Sequence, residues 1–364
     1  MQLKNKNKIR NIILSIILIL IVNGILSFLQ VNKSDYYYII SIIQRSLVFA
    51  VIACSMNLVI GFTGLFSLGQ AGFMAIGAYV TAIFTIPIER RPNVYYINGI
   101  NDYLANIYIP WPIALILGGL VAALFAFLIG MPVLKLKSDY LAIATLGFAE
   151  ILRAVIASPM MDRITNGSFG LKNIPGFSNI IELTIISAIC ILIMILLVNS
   201  SYGRDFKAIR EDEIAAEAMG INIFKMKQLS FVISSFFAGV GGGMFAMFIR
   251  SIDSKTFQVS LTYDILLMVV LGGIGSFTGS ILGSFLVTAS KELLRFFDEP
   301  FLLFGKIEVS LFRPGFRMVI FSILLMVVVL FFRKGIIGGK EFSWDKIINF
   351  FIKPNHKKKD EESI

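Results

Sequence analysis

The chain has 364 residues, of which 57% are hydrophobic and only 15% charged, with a mean hydropathy of +0.82 and a formal net charge of +10. A soluble domain carries about 25% charged residues, so these values exclude a water-soluble enzyme and identify an integral membrane protein. The positive charge sits in short segments beside hydrophobic runs, which is the positive-inside pattern with attraction to anionic lipid rather than a nucleic-acid surface.

Lys4, Lys6, Lys8 and Arg10 precede an apolar run from Ile12 to Leu29. That run is too long for a cleaved signal peptide, and no small-x-small cleavage site follows it. An uncleaved first span is expected, with residues 1–11 a cytoplasmic N-terminus. A second run, Ile39 to Ile60, holds Arg45 near its outer end and Asn57 near its inner end. In the next run, Gly61 to Phe84, glycines recur at 61, 64, 69, 72 and 77. Glycine costs about 1 kcal/mol relative to alanine inside a helix. It repeats where backbones must pack closely or where a helix breaks beside a cavity, and both readings stay open here.

A polar loop from Ile86 to Pro110 leads to a span from Trp111 to Gly130 and a basic turn at Lys135 and Lys137. The span Tyr140 to Ile156 contains Glu150 and Arg153, which at i, i+3 share one helix face and can pair. Ionisable groups at membrane depth face the protein interior, as a structural pair or as part of a substrate route. The loop Thr165 to Leu171 (TNGSFGL) is small and polar, and Ile180 to Val198 is a plain apolar span.

Tyr202 to Lys227 is the one long polar segment enclosed between hydrophobic runs. Ile214, Ala218 and Ile221 follow an i, i+4, i+7 spacing, which predicts one short amphipathic helix ending near Gly220. Its apolar stripe has nothing in the sequence to bury it. It is a solvated linker or a docking surface for a partner protein. Leu229 to Ile249 crosses back, with a glycine cluster from Gly239 to Gly243. Leu261 to Thr288 is a second glycine-interrupted run, with Asp264 near its start, and is expected to hold broken or re-entrant helices. GAYVTA at Gly77 and GSFLVTA at Gly283 hint at an internal duplication. Residues 290–314 read as external, Phe316 to Phe332 as the last span, and the tail from residue 334 as basic and cytoplasmic. The expected fold is an all-α polytopic membrane protein with about eight to ten spans over residues 12–333 and both termini inside.

Cys54 and Cys190 lie in apolar runs and read as small buried hydrophobes, and the single histidine, His356, lies in the tail. No phosphate-binding loop is present: GIIGGKE at Gly335 has the wrong spacing and no hydroxyl after the lysine. GGIGSFTG lies in an apolar run, away from any strand–helix turn. No catalytic residue, metal site or cofactor is expected, so energy must come from a partner or an ion gradient.

The chain resembles the LivM-type permease subunits of branched-chain amino acid ABC importers. The matching stretches are Asn57 to Tyr79, Tyr140 to Arg153, Thr165 to Leu171, Gly203 to Asn222 and Val270 to Gly283, in family order. The resemblance implies transport of leucine, isoleucine and valine across the cell membrane by a subunit with no ATPase of its own. Its implied partners are a second, homologous permease, two cytoplasmic ATP-binding subunits and an extracytoplasmic binding protein. It further implies that the 202–227 segment docks on the ATPase. Ala215, Ala216 and Gly220 fall on the importer pattern, while Ile214 stands where the pattern has glutamate, flanked by Glu213 and Glu217. Arg204, Arg210, Glu211 and Asp212 complete the expected coupling set. The expected pathway residues are Asn57, Gly64, Ser67, Gln70, Gly72, Tyr79, Thr145, Glu150, Asn166, Ser168, Asp264, Gly272, Gly273 and Gly275. Alternatives are import of urea or amides, nucleosides or sugars, or an ion-coupled carrier that uses Glu150, Arg153 and Asp264.

Overall fold

A computed structural model describes residues 23–32, 35–97, 99–136 and 138–294, with isolated positions between 302 and 341. The chain divides into two compact units, Met1–Tyr37 with Glu341–Ile364, and Tyr38–Lys340. In the first, residues 23–31 are helical. The second carries the long helices: α1 (Tyr37–Asn57), α2 (Gln70–Thr85), α3 (Trp111–Val133), α4 (Ser138–Ile156), α5 (Ile180–Asn199), α6 (Ser201–Glu211), α7 (Glu213–Ala218), α8 (Ile223–Ile249), α9 (Val259–Gly272) and α10 (Phe277–Leu293). Two-residue strands at Leu302–Leu303 and Ile307–Glu308 pair antiparallel.

Four helical stretches are long and apolar enough to cross a membrane: Tyr37–Phe62, Trp111–Val133, Ile180–Asn199 and Ile223–Ile249. Counting Gln70–Thr85 with Ile88–Val94, and Tyr140–Ile156 with Pro159–Thr165, as single bent spans brings the number to six among the described residues. The protein is thus an all-α, multi-pass membrane protein. Residues 12–22 and nearly all of 316–332, expected to complete the end spans, lie outside the described residues.

Both glycine-rich runs are broken, as expected for the second and as one of the two readings left open for the first. Helix α1 unwinds into a π-helical turn at Leu58–Phe62, and residues 63–69 are non-helical before α2 begins. Helix α9 stops at Gly272, bends through residues 273–276 and restarts as α10. Ser276 caps α10 by accepting from the Gly279 amide at 3.1 Å. Helix α9 has 14 residues, about 21 Å of rise, short of the ~20 residues a straight span needs.

Helices α2, α3 and α8 form the centre, and glycine sets how close they come. A Cβ on Gly77 would lie 2.0 Å from the Gly239 carbonyl oxygen, and one on Gly118 would lie 2.8 Å from that of Gly77. A Cβ on Gly242 would lie 2.1 Å from the Met74 carbonyl oxygen. These glycines are packing residues. Hydroxyl contacts tie α8 to α1 and the turn after it: Thr63 Oγ1 to Ser230 Oγ at 2.6 Å, and Ser234 Oγ donating to the Ser55 carbonyl at 2.6 Å.

The loop after α2 is closed by Arg91, which is 2% exposed. Its guanidinium donates to the carbonyls of Ile83, Ile86, Leu104, Ala105 and Ile107, none of them carboxylates. Two of these acceptors are at the C-terminal end of α2, where helix carbonyls are orphaned and the macrodipole is negative. The charge is therefore solvated by peptide dipoles. In sequence it is an ordinary loop arginine.

Gly77→Ala is expected to cost about 3 kcal/mol or more through overpacking. Gly147→Ala, where nothing lies within 4 Å of the added atom, is expected to be neutral or slightly stabilising. Thermal melts of the detergent-solubilised chain would separate the two.

Candidate functional site

The charged segment folds as two helices, not the single one expected. Asp212 is the reason: it is extended (φ −160°, ψ 112°) and its carboxylate accepts from the Ile214 and Ala215 amides at 2.9 and 3.1 Å. This is an N-cap, and it starts α7 afresh after α6 has ended. The predicted C-terminus holds. Gly220 has φ +85° and the Ile221 amide reaches back to the Ala216 carbonyl at 3.1 Å, a Schellman ending. Glu213 pairs with Lys227 at 2.6 Å, and Arg204 donates to Ser201 Oγ at 3.1 Å.

Helix α6 buries Gly203, Phe206 and Ile209. Helix α7 buries only Ala216 and leaves Ala215, Glu217 and Ala218 exposed. Ile214 is 81% and Met219 83% exposed. The apolar stripe predicted from spacing thus lies open in this chain, while Ile221 is half-buried.

Arg210 joins this segment to the broken helices. It donates to the Gly61 carbonyl at 2.7 Å and pairs with Glu211. It also lies against Gly64, whose φ of +78° suits glycine, and against Gly275. Lys207 sits over the Phe62 ring at 5.7 Å. The π-helical turn is therefore held from below by two cations of α6.

Above it, Asn57 is fully buried. Its Oδ1 accepts from the Gly275 amide at 2.8 Å, and its Nδ2 donates to the Ser276 carbonyl at 2.9 Å and Ser280 Oγ at 2.7 Å. One side chain thereby fastens the first break to the second. Gly273 (φ +126°) and Gly275 (φ +81°) adopt backbone that other residues rarely reach. Gly272 allows close approach, since a Cβ there would meet the Gly279 carbonyl oxygen at 2.0 Å.

The non-helical residues 63–69 run beside α4. Thr145 Oγ1 accepts from the Leu68 amide at 3.0 Å, Ser67 Oγ from the Gly69 amide at 3.4 Å, and the Val59 carbonyl from the Leu65 amide at 3.0 Å. Gln70 donates to Ser55 Oγ at 2.6 Å. Gly72 packs on α4, its added Cβ falling 2.9 Å from Ala149 Cα. Tyr79 is buried, with no partner for its hydroxyl among the described residues.

Other expected residues lie apart from this cluster. Glu150 pairs with Arg153 at 2.6 Å on α4, as the spacing predicts. Asn166 is buried and left-handed (φ +58°), and its amide donates to the Val94 and Gly170 carbonyls at 3.0 and 2.7 Å, so it shapes the loop. Ser168 is exposed and bonds the Ala157 carbonyl at 3.2 Å. Asp264 pairs with Lys291 at 2.6 Å near the far ends of α1 and α10. The sequence reading missed Ser276 and Ser280, although Ser276, Ser280 and Ser284 repeat every fourth residue along one buried face of α10.

Asn57→Leu keeps the branched side-chain shape but strands the Gly275 amide, whereas the Ser276 carbonyl still accepts from the Ser280 amide and hydroxyl. Each buried polar group left unpaired costs about 1–3 kcal/mol. A drop of several degrees in the thermal midpoint of the solubilised chain is expected.

The family described as branched-chain amino acid transport system permease component matches residues 38–330. The high-affinity branched-chain amino acid transport system permease protein LivM of Escherichia coli is 33% identical over 312 residues, 76% of this chain and 68% of the relative. Its Salmonella typhimurium counterpart is 32% identical over the same coverage. A probable LivM of Methanocaldococcus jannaschii is 24% identical over 319 residues, 80% of this chain and 90% of the relative. No solved structure matches the chain with significance.

Proposed function

The chain belongs to the family of branched-chain amino acid permease components, and on that premise we propose that it forms half of the membrane pore of an ATP-driven importer of leucine, isoleucine and valine. It works in the cell membrane beside a second, homologous permease. Two ATP-binding subunits dock in the cytoplasm, and a soluble binding protein delivers cargo from outside. The end carrying α6 and α7 faces the cytoplasm, as do both termini; residues 12–333 form the permease domain and 334–364 a basic tail. The chain has no ATPase centre of its own.

The observation that carries this reading is α7, a capped six-residue helix that holds Ile214 and Met219 out to solvent on a charged segment. Aliphatic side chains ringed by Glu211, Glu213 and Glu217 suit an anchor-and-rim docking surface. ATP-driven closure of the ATPases moves α7, and α6 carries the motion through Arg210 to the Gly61 carbonyl. Asn57 passes it to the bend at residues 273–276, so both broken helices respond together. The glycine breaks let backbone groups line the route, and the two permease halves rock between outward- and inward-facing states.

An ion-coupled carrier needs a carboxylate that gains and loses an ion during the cycle. Glu150 and Asp264 are each held by a cation at 2.6 Å, which disfavours that use. In proteoliposomes holding the complete complex, Ile214→Asp with Met219→Asp is expected to lower ATP-driven leucine uptake by about tenfold or more, the scale of losing a docking hot spot. Uptake that follows an imposed proton or sodium gradient without nucleotide would overturn the proposal.

A further inference from the structure

At the end of the domain opposite α7, a cavity of about 260 Å³ opens between α1, α8, α9 and α10. It is somewhat smaller than the ~300–1,000 Å³ of sites for drug-sized ligands, a size suited to a small metabolite. Phe49 and Phe245, packed at 5.5 Å between ring centroids, form an apolar wall. Arg45, Asp264 and Lys291 supply charge at the rim. Among the described residues, Lys291 pairs with Asp264 at 2.6 Å, and Arg45 lies 3.8 Å from Glu292 and over the Phe49 ring at 5.8 Å.

Thr288 also lines this cavity. It is 4% exposed and its hydroxyl has no hydrogen-bond partner among the described residues, although a helical threonine usually finds one in the preceding turn. A buried hydroxyl left unpaired is costly unless something else bonds it.

We infer that this cavity is the outer loading site of the permease, and that it binds the α-ammonium and α-carboxylate of a zwitterionic aliphatic amino acid. The cargo class rests on the importer reading above. The ammonium takes Asp264, and the carboxylate takes Lys291 and Arg45, with the Thr288 hydroxyl donating to it. A neutral zwitterion inserts into the Asp264–Lys291 pair by exchange and leaves no charge unmatched, whereas a net anion or cation would leave one over. The side chain of the cargo lies against Phe49 and Phe245.

The test uses the complete complex, with binding protein, in proteoliposomes charged with ATP and radiolabelled L-leucine. Thr288→Val replaces an unpaired hydroxyl by a methyl group of the same shape, which is neutral or stabilising if no ligand uses it. Thr288→Val, and separately Asp264→Asn with Lys291→Gln, which keeps the site neutral, are each expected to lower the leucine uptake rate by about tenfold or more. Thr288→Val should assemble with a thermal midpoint at or above that of the wild type. Uptake within twofold of wild type in both variants overturns the loading site while leaving the importer reading intact. Failure of Thr288→Val to assemble would mean its hydroxyl has a structural partner, and overturns it too. A wild-type complex that carries no leucine with ATP present defeats the importer reading, and the cargo assignment with it.

Discussion

A peptide group freed from its helix at membrane depth has no water to bond, and the fold depends on how Asn57 meets that constraint. Both glycine-rich runs break, one after α1 and one between α9 and α10. Each break exposes amides and carbonyls that cost several kcal/mol if left alone in an apolar medium. One side-chain amide, with its acceptor on Gly275 and its donor on Ser276 and Ser280, serves the second break from the edge of the first. Thr145 and Ser67 do the same for residues 63–69. The broken segments persist because their backbone is satisfied.

The second break was legible in its glycine repeats, the first was one of two readings its glycines allowed, and the ending of α7 was legible in Gly220. The Glu150–Arg153 pair followed from helix geometry alone. What each glycine does was not legible. Gly77 gives way to a neighbouring backbone and Gly64 takes a positive φ, yet in sequence they are the same residue in the same apolar run. Their difference is set by Gly239 and Arg210, more than a hundred positions away. Arg91 was hidden for a similar reason, because its carbonyl cage exists only once the loop has closed. The break at Asp212 was better signalled: an aspartate just before a new run of helix formers is a strong cap, and the apolar spacing across it masked the fact.

The same contacts show how a distant push could reach the middle of the domain. Arg210 hydrogen-bonds the π-helical turn through the Gly61 carbonyl, beside Lys207 over the Phe62 ring. Gly61 itself lies close enough to Asn57 and the Gly275 amide that a Cβ there would overlap both. Cation, turn, amide and second bend form one short chain of contacts, with no compressible side-chain packing between its members. Close-packed groups of this kind switch between discrete arrangements more readily than they deform.

Arg91 carries a different consequence. A guanidinium that donates to five carbonyls from two separate stretches of chain ties those stretches together, and each acceptor released leaves one of its donors unpaired. The loop it ties therefore behaves as a fixed lintel over α2. A lysine, with one compact ammonium and three donors, could not hold the same span. Lifting that loop away would require some of these five bonds to part, whereas a shift of α2 that carries the loop with it need break none of them.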